Sequence, residues 1–433
     1  MINVQAASAE VVGRTLTGKN LDRVLDQVFA AKGSLTSNER AAVQSIAFDT
    51  LRHYGLISAQ LDALLSAPIS DLPVRHLLLV ALAQLQFSKA GAHAIVDHAV
   101  TACETMGHVR AKALVNAVLR NYLRAPEKFA RERFPQDVAK YDFPQWWIER
   151  VRNEQPAHWE DILLSSRVHP PMCLRVNVRR TGVTDYLDKL AAQGIAAHAL
   201  SAQAITLEKP MPVNVLPGFR EGLVSVQDAG AQWSASLLAP EAGMRVLDAC
   251  AAPGGKAGHL LEWADIELTA LDSDRHRLKR VKENLDRLGL SATLATADAA
   301  ELDKWWDKKT FDRILIDVPC SGSGVVRRHP DIKWIRRESD IASFARQQSR
   351  LLASLWNCLS VGGRLLYATC SIFHAENREI VAKFLDTQAH AASVPLIPSR
   401  AGDDAAPFQH QDGQLFPDDQ QDGFYYALLE KTA

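Results

Sequence analysis

Two apolar runs in this chain each stop at a cysteine, and those endings are where its residue types could do chemistry. From Arg313 the sequence reads RILIDVPC, so Ile314, Leu315 and Ile316 are followed by Asp317, a valine, a proline and Cys320. From Arg364 it reads RLLYATC, a second strand-like run closing on Cys370. An apolar strand that ends in reactive groups and then a loop is how an open α/β sheet delivers chemistry at its carboxyl edge. Two such endings on one sheet put two thiols over one crevice. A lone cysteine at a strand end is most often a small buried hydrophobe. Asp-Val-Pro-Cys together with Ala-Thr-Cys-Ser inverts that reading. An ordinary thiol, with a pKa of about 8.5, is mostly protonated at neutral pH, so a nucleophilic cysteine needs an electropositive site or a local base. Cys103, Cys173 and Cys358 have no comparable setting and are expected in cores.

A third motif precedes these two. Val246-Leu247-Asp248-Ala249 runs into Cys250, Ala251, Ala252, Pro253, Gly254, Gly255 and Lys256. The paired glycines permit a tight turn, and the helix that follows offers its first amides to a ligand. The motif is not a P-loop, because Cys250 stands where the first glycine would fall and Ala257 where a magnesium-holding hydroxyl would. Nor is it GxGxxG. The next predicted strand ends at Asp272, where an acid typically takes two ribose hydroxyls, and the third ends at Asp298, placed for an adenine amine. Without a phosphate-binding loop, S-adenosylmethionine (AdoMet) is favoured over a dinucleotide. Cys250 is expected to contribute backbone rather than thiol chemistry.

The elements that must position these groups follow from pattern and composition. At 433 residues, 47% hydrophobic and 23% charged with net charge −1, the chain is long enough for two or three domains. Its near-zero charge neither implies nor excludes a nucleic-acid partner. Six cysteines without CxxC spacing argue against a disulfide framework and against zinc, so reduced thiols and no metal are expected. The N-terminus lacks a basic start followed by an apolar core, and the longest apolar run, Leu77 to Ala83, is too short to span a bilayer. A cytoplasmic protein with no membrane partner is expected.

Residues 1–140 show helical periodicity and predict an all-α bundle. Leu21, Val24, Leu25 and Val28 form one stripe, Thr36 with Glu39 fits a capping box, and further helices are predicted at 55–66, 73–88, 93–106 and 110–123. The last carries Lys112, Arg120 and Arg124 on an amphipathic helix that either meets RNA or is simply solvated. Residues 141–228 predict a connector helix and a small α+β domain, RRM-like, whose alternating Arg175, Asn177 and Arg179 could touch an RNA backbone. Residues 229–433 alternate strand and helix, the pattern of a parallel Rossmann-like sheet. The stretch 401–423 reads as a loop before the last strand.

Taken in order, DACAAPGGK, DVPCSGSGVVRRHPDIKW and YATCSI resemble the RNA 5-methylcytosine methyltransferase family (Nol/Nop/Sun). The likeness extends over nearly the full length to its bacterial ribosomal-RNA branch, in which a domain similar to antitermination factor NusB precedes the catalytic part. HAIVDHAV, KALVNAVLRNYLR and LPGFREGLVSVQDAGAQ fit as well. Gly322-Ser323 departs from the Ala-Thr of the best-known members, but small residues should keep the turn. The resemblance implies transfer of a methyl group from AdoMet to cytosine carbon 5 in small-subunit (16S) ribosomal RNA by a monomer. It makes Cys370 the nucleophile toward carbon 6, gives Cys320 product release, and assigns Asp317 to cytosine nitrogen 3. Lys256 is the nearest group by motif geometry to activate Cys370, and Asp317 also borders the cofactor crevice. Arg327, Arg328, His329, Lys333, Arg336 and Arg337 are expected to hold RNA backbone. Transfer RNA as substrate, or a non-catalytic RNA-binding assembly or antitermination factor, are the alternatives.

Overall fold

The computed structural model describes residues 2–399 and 412–433, so 401–411 of the stretch 401–423 lies outside the described residues. The chain divides into two compact units. One comprises residues 2–169 with Val326–Glu338, the other Pro170–Val325 with Ser339–Ala433.

The first unit is helical. Its helices are α1 (Ile2–Leu16), α2 (Leu21–Ala31), α3 (Ser37–Arg52), α4 (Tyr54–Leu64), α5 (Leu72–Phe87), α6 (Ala92–Thr105) and α7 (Lys112–Arg124), followed by α8 (Asp137–Tyr141), α9 (Gln145–Glu154) and α10 (Trp159–Ser165). The predicted capping box exists: the Glu39 amide donates to Thr36 Oγ1 at 3.3 Å, and the Thr36 amide donates to Glu39 Oε2 at 2.9 Å. The stripe on α2 is buried, as is α5 from Leu77 to Gln84, each large aliphatic side chain contributing about 1.5–3 kcal/mol by leaving water.

Helix α1 was not foreseen. It packs against α2, α3, α5 and α6, and it buries Gln5, Ser8 and Thr15 among its alanines and valines. Those polar residues interrupt the apolar period, yet Gln5 Nε2 donates to Gln84 Oε1 at 2.6 Å and the Ser8 hydroxyl donates to the Val4 carbonyl at 2.8 Å. For Gln5 and Ser8 the hydrogen bonds that make the burial tolerable are long-range or side chain to backbone, which a periodicity reading does not see, while Thr15 Oγ1 has no partner among the described residues.

The segment after Val326, with helix α15 (Ile332–Ile335), completes this unit by closing two helix ends. Asp331 Oδ2 accepts from the Leu21 amide at the start of α2 (3.0 Å). Lys333 Nζ donates to the Arg52 carbonyl (2.9 Å), and Trp334 Nε1 to the Leu51 carbonyl (2.7 Å), at the end of α3. An acid at a helix N-terminus and a cation at a C-terminus each satisfy orphan backbone groups and the helix dipole.

The second unit holds two sheets. Strands β1 (Met172–Val176), β2 (Ala197–Ala199), β3 (Ala204–Leu207) and β4 (Val224–Val226) pair antiparallel in the order β2-β3-β1-β4, with helix α11 (Val183–Ala191) beside them. The larger sheet contains β5 (Arg245–Ala249), β6 (Glu267–Asp272), β7 (Thr293–Thr296), β8 (Phe311–Asp317), β9 (Leu359–Thr369), β10 (Ala391–Val394) and β12 (Phe424–Lys431), in the order β10-β12-β9-β8-β5-β6-β7; β11 (Gln414–Leu415) pairs with β12. Strands β5 to β9 are mutually parallel, while β10, β11 and β12 run antiparallel at one side. Helices α12 (Ala229–Leu238), α13 (Gly255–Trp263), α14 (Arg275–Leu288), α16 (Glu338–Trp356) and α17 (Arg378–Thr387) flank it. Ile314, Leu315 and Ile316 are all fully buried, as a strand covered on both faces requires. Of these strands β10 was unforeseen.

Chain order reverses between β5 and β8, the place where an open α/β sheet gapes to admit a ligand. Register decides what meets there. Ala249 lies opposite Ile316, and Asp317 opposite Ala368. The loop after β5, the acid at the end of β8 and the turns after β8 and β9 therefore share one rim.

Candidate active site

Cys320 lies three residues past the Asp317–Ala368 pair on one strand, and Cys370 two residues past it on the next. Their sulfurs are 3.3 Å apart, close enough for one thiol to donate to the other. Both cysteines are partly exposed, whereas Cys103, Cys173 and Cys358 are buried. The Cys320 pKa is pushed well up, first by its hydrogen bond with Cys370 and then by burial and the nearby charge of Glu376. Cys320 is thus held as a neutral thiol beside the Cys370 sulfur.

Lys256, on the first turn of α13, donates to Asp317 Oδ2 at 2.7 Å. Burial opposes its charge, but Asp317, Tyr426 and Cys370 outweigh that, so its pKa is shifted upward and it stays an ammonium. The partner of Lys256 in this structure is the acid rather than the sulfur. Its effect on Cys370 is that of a neighbouring positive charge.

The loop after β5 brings the Ala251 amide to the Leu271 carbonyl (2.8 Å) and the Ala252 amide to Asp272 Oδ2 (3.2 Å). Cys250 has φ +71° and Gly254 φ +100°; a Cβ on Gly254 would lie 3.0 Å from Val281 Cα, so glycine is the residue that fits there. Asp272 also accepts from the Asp274 amide at 2.9 Å, with Arg277 at 3.6 Å. Asp298 accepts from the Ala300 amide at 2.9 Å and is ion-paired with Arg350. Burial opposes ionisation of Asp298, but those two partners win and hold its pKa low.

Asp248, which the motif contained but sequence reasoning left without a role, is fully buried at the end of β5. Neither of its carboxylate oxygens has a hydrogen-bond partner among the described residues. Burial and then Asp317 push its pKa well up, Asp272 adds to that, and Lys256 opposes it. Asp248 is thus within electrostatic reach of two further acids, Asp317 and Asp272, and of one lysine. Such a site favours a cationic ligand, and AdoMet carries a sulfonium and an ammonium where a dinucleotide carries phosphates. The orphaned Asp248 oxygens and the glycine turn both fit AdoMet.

Sequence reasoning also missed the groups beneath the two thiols. Ser321 and Ser371 directly follow Cys320 and Cys370, and both reach the buried carboxylate of Glu376. The dipeptide Cys-Ser, occurring at both strand ends, was the available signal. Gly322 takes φ +76°, and the Ser323 hydroxyl lies 2.9 Å from that of Ser371 while accepting from the Ile372 amide at 2.9 Å. The small pair at 322–323 thus does more than keep a turn.

Two expectations about RNA-facing cations need correction. Arg327 and Lys333 are 1% and 0% exposed, locked into the helical unit through the Arg327 carbonyl, which accepts from Arg52, and the Lys333 ammonium, which donates to the Arg52 carbonyl. His329, half-buried, sits 3.8 Å from Asp22. Arg328 and Arg336 are half-buried and Arg337 is exposed. In the smaller sheet, Arg175 is fully buried in a bidentate pair with Glu262 (both contacts 2.8 Å), Arg179 donates to the Leu261 carbonyl (2.9 Å), and Arg180 to the Leu288 carbonyl (2.6 Å). Arg175 and Asn177 are buried away from any RNA backbone, whereas Arg179 and Arg180 are exposed while each also donates to a carbonyl near the end of α13 or α14. Orphan carbonyls at helix ends and a buried carboxylate outbid solvent for these guanidiniums. On α7 the polar face is exposed, with Lys112 on Glu104 (2.6 Å) and Arg120 on Asn116 (2.8 Å).

Three family models match the chain: NusB family over residues 2–124, the ferredoxin-like domain of RsmF/B-like methyltransferases over 143–214, and 16S rRNA methyltransferase RsmB/F over 235–430. Among relatives, ribosomal RNA small subunit methyltransferase B of Vibrio cholerae is 40% identical over 438 residues, covering 100% of this chain and 98% of the relative. The protein of that name from Pseudomonas syringae pv. tomato is 42% identical over 445 residues, covering 100% and 98%. A solved structure titled "Crystal Structure of PH0851" superposes with TM-score 0.80 at 26% identity, covering 100% of this chain and 99% of the other.

Proposed function

This chain belongs to the ribosomal RNA small subunit methyltransferase B family, and from that premise we propose that it methylates carbon 5 of a cytosine in 16S ribosomal RNA through a covalent cysteine–cytosine adduct. The observation that carries the reading is the Cys320–Cys370 pair at 3.3 Å beside the Lys256–Asp317 ion pair. The turn from Cys250 to Lys256 with Asp248, Asp272, Asp298 and Asp317 would hold AdoMet. When bound, AdoMet supplies an electrophilic methyl group.

Carbon 5 of cytosine is a poor nucleophile, so the protein must first raise its electron density. The Cys370 thiolate adds to carbon 6 and forms an S–C bond, while the 5,6 double-bond electrons shift to carbon 5. Asp317 holds nitrogen 3, protonated, which draws electrons from carbon 6 and lowers the cost of addition. Lys256 keeps Asp317 oriented and adds a positive charge near the sulfur. Once carbon 5 carries the methyl group, it loses its proton to a base. The electrons of that C–H bond re-form the 5,6 double bond and the S–C bond breaks toward sulfur. Cys320, a neutral thiol within donating distance, stabilises the departing Cys370 thiolate by offering its S–H. The target base must be extruded or already unpaired. We place this activity in the cytoplasm and on a monomer.

Cys370→Ala is expected to abolish transfer of labelled methyl groups to 16S RNA while AdoMet affinity by calorimetry stays within about twofold. Undiminished product from that variant would reject the mechanism. Bisulfite sequencing of the product RNA checks carbon 5 of cytosine as the acceptor and separates ribosomal from transfer RNA.

A further inference from the structure

Beneath the thiol pair lies a buried carboxylate that no step above uses. Glu376 is fully buried, six residues beyond Cys370. Its Oε1 accepts from the Ser321 amide at 2.7 Å and from Gln348 Nε2 at 3.2 Å. Its Oε2 accepts from the hydroxyls of Ser321 at 2.5 Å and Ser371 at 2.6 Å. Four donors on two oxygens fill the acceptor capacity of an ionised carboxylate and leave no place for a carboxyl proton. Burial pushes the Glu376 pKa up, and the hydrogen bonds from Ser321, Ser371 and Gln348 oppose that rise.

The donors come from three directions. Ser321 immediately follows Cys320, Ser371 immediately follows Cys370, and Gln348 projects from α16 while its amide also donates to the Pro319 carbonyl at 3.0 Å. Glu376 is itself fixed: its carbonyl accepts from the Tyr367 hydroxyl at 2.7 Å, and its neighbour Asn377 bonds Thr369 and Ser371 at 2.7 and 2.8 Å. Each β-strand brings its own cysteine to the rim, and the turns that follow meet through the Gly324 amide on the Cys370 carbonyl and the Ser323 hydroxyl on the Ile372 amide. To these the Glu376 carboxylate adds a link that binds the residue directly after each cysteine.

We propose that Glu376 is a positioning residue for both thiols: by binding the serine that follows each cysteine, it sets the Cys320–Cys370 separation on which adduct formation and release depend. This rests on the two-cysteine reading above. Glu376→Gln would replace an acceptor by a donor facing two hydroxyls, and Glu376→Ala would remove the acceptor that both serines share.

The separation can be tested without RNA. Diamide removes the two thiol hydrogens of a cysteine pair to form a disulfide, and its rate reports how often the sulfurs meet. In the full chain, peptide mapping after diamide is expected to show Cys320–Cys370 closure slowed about tenfold or more in Glu376→Gln and Glu376→Ala. The kcat for methylation falls by a similar factor, with KM for RNA within about threefold and AdoMet affinity unchanged. Should those variants fold poorly, Ser321→Ala and Ser371→Ala, alone and together, each remove one donor; the double variant is expected to slow closure more than either single one. Wild-type closure rates in every variant overturn the proposal. Slowed closure in the variants of a wild type that does not methylate cytosine would instead leave the clamp standing and reject the assigned reaction.

Discussion

Cys320 is the more conspicuous thiol, in a proline turn after an acid, yet its surroundings suit it to finish the reaction. Its pKa is raised by the Cys370 sulfur, by burial and by Glu376, so it holds its proton beside the sulfur that must depart. Cys370 is the thiol within electrostatic reach of the Lys256 ammonium. Removing the S–H of Cys320 leaves addition intact and hinders expulsion. Cys320→Ala is therefore expected to accumulate a covalent protein–RNA species on a denaturing gel in the presence of AdoMet, and Cys320→Ala/Cys370→Ala none. Absence of the adduct from the single variant would reject the release role.

Among the elements, the turn after β8 is the most constrained. Gly322 takes a left-handed φ, and Gly324 abuts another backbone: a Cβ there would lie 2.2 Å from the Gly423 carbonyl oxygen. The Gly324 amide donates to the Cys370 carbonyl, and the Gly423 amide to the Gly324 carbonyl, both at 2.9 Å. This turn is stitched to the Cys370 turn and to the chain entering β12. Gly324→Ala is expected to cost about 1–3 kcal/mol, read from the urea midpoint, since overpacking against backbone cannot relax by a rotamer change. Its methylation rate should fall further than its stability, because the shift occurs between the two thiol turns.

Across the molecule, three cations that read as RNA contacts, Arg175, Arg327 and Lys333, are instead buried inside their units. Lys333 is the clearest instance: burial, with Arg52, Arg167 and Arg131 nearby, drives its pKa down to about 7 despite Asp142. In the unfolded chain Lys333 keeps its proton to about pH 10. Between those values the unfolded state binds more protons, so this group makes the helical unit more stable as pH rises from about 7 to about 10. Below about 7 both states are protonated and the slope vanishes. The urea midpoint of the wild type is expected to gain on that of Lys333→Met as the buffer is moved upward through this window: the variant's advantage is greatest near pH 7 and shrinks toward pH 10. A constant difference would show that Lys333 does not titrate there.

Local content was legible in the sequence from residues close together in the chain. Strand endings at Asp248, Asp272, Asp317 and Cys370, the glycine turn, the capping box at Thr36 and the helical stripes all depend on residues within a few positions of one another. It left out α1, whose buried Gln5 needs Gln84, and Glu376, whose partners come from two other segments. It also assigned Arg175 and Lys333 to RNA backbone. Only the tertiary structure decided those partners, because whether a charge faces water or a buried carbonyl depends on what packs over it. Arg175 meets Glu262 and Lys333 meets Arg52 across gaps of 87 and 281 residues, which no local pattern encodes.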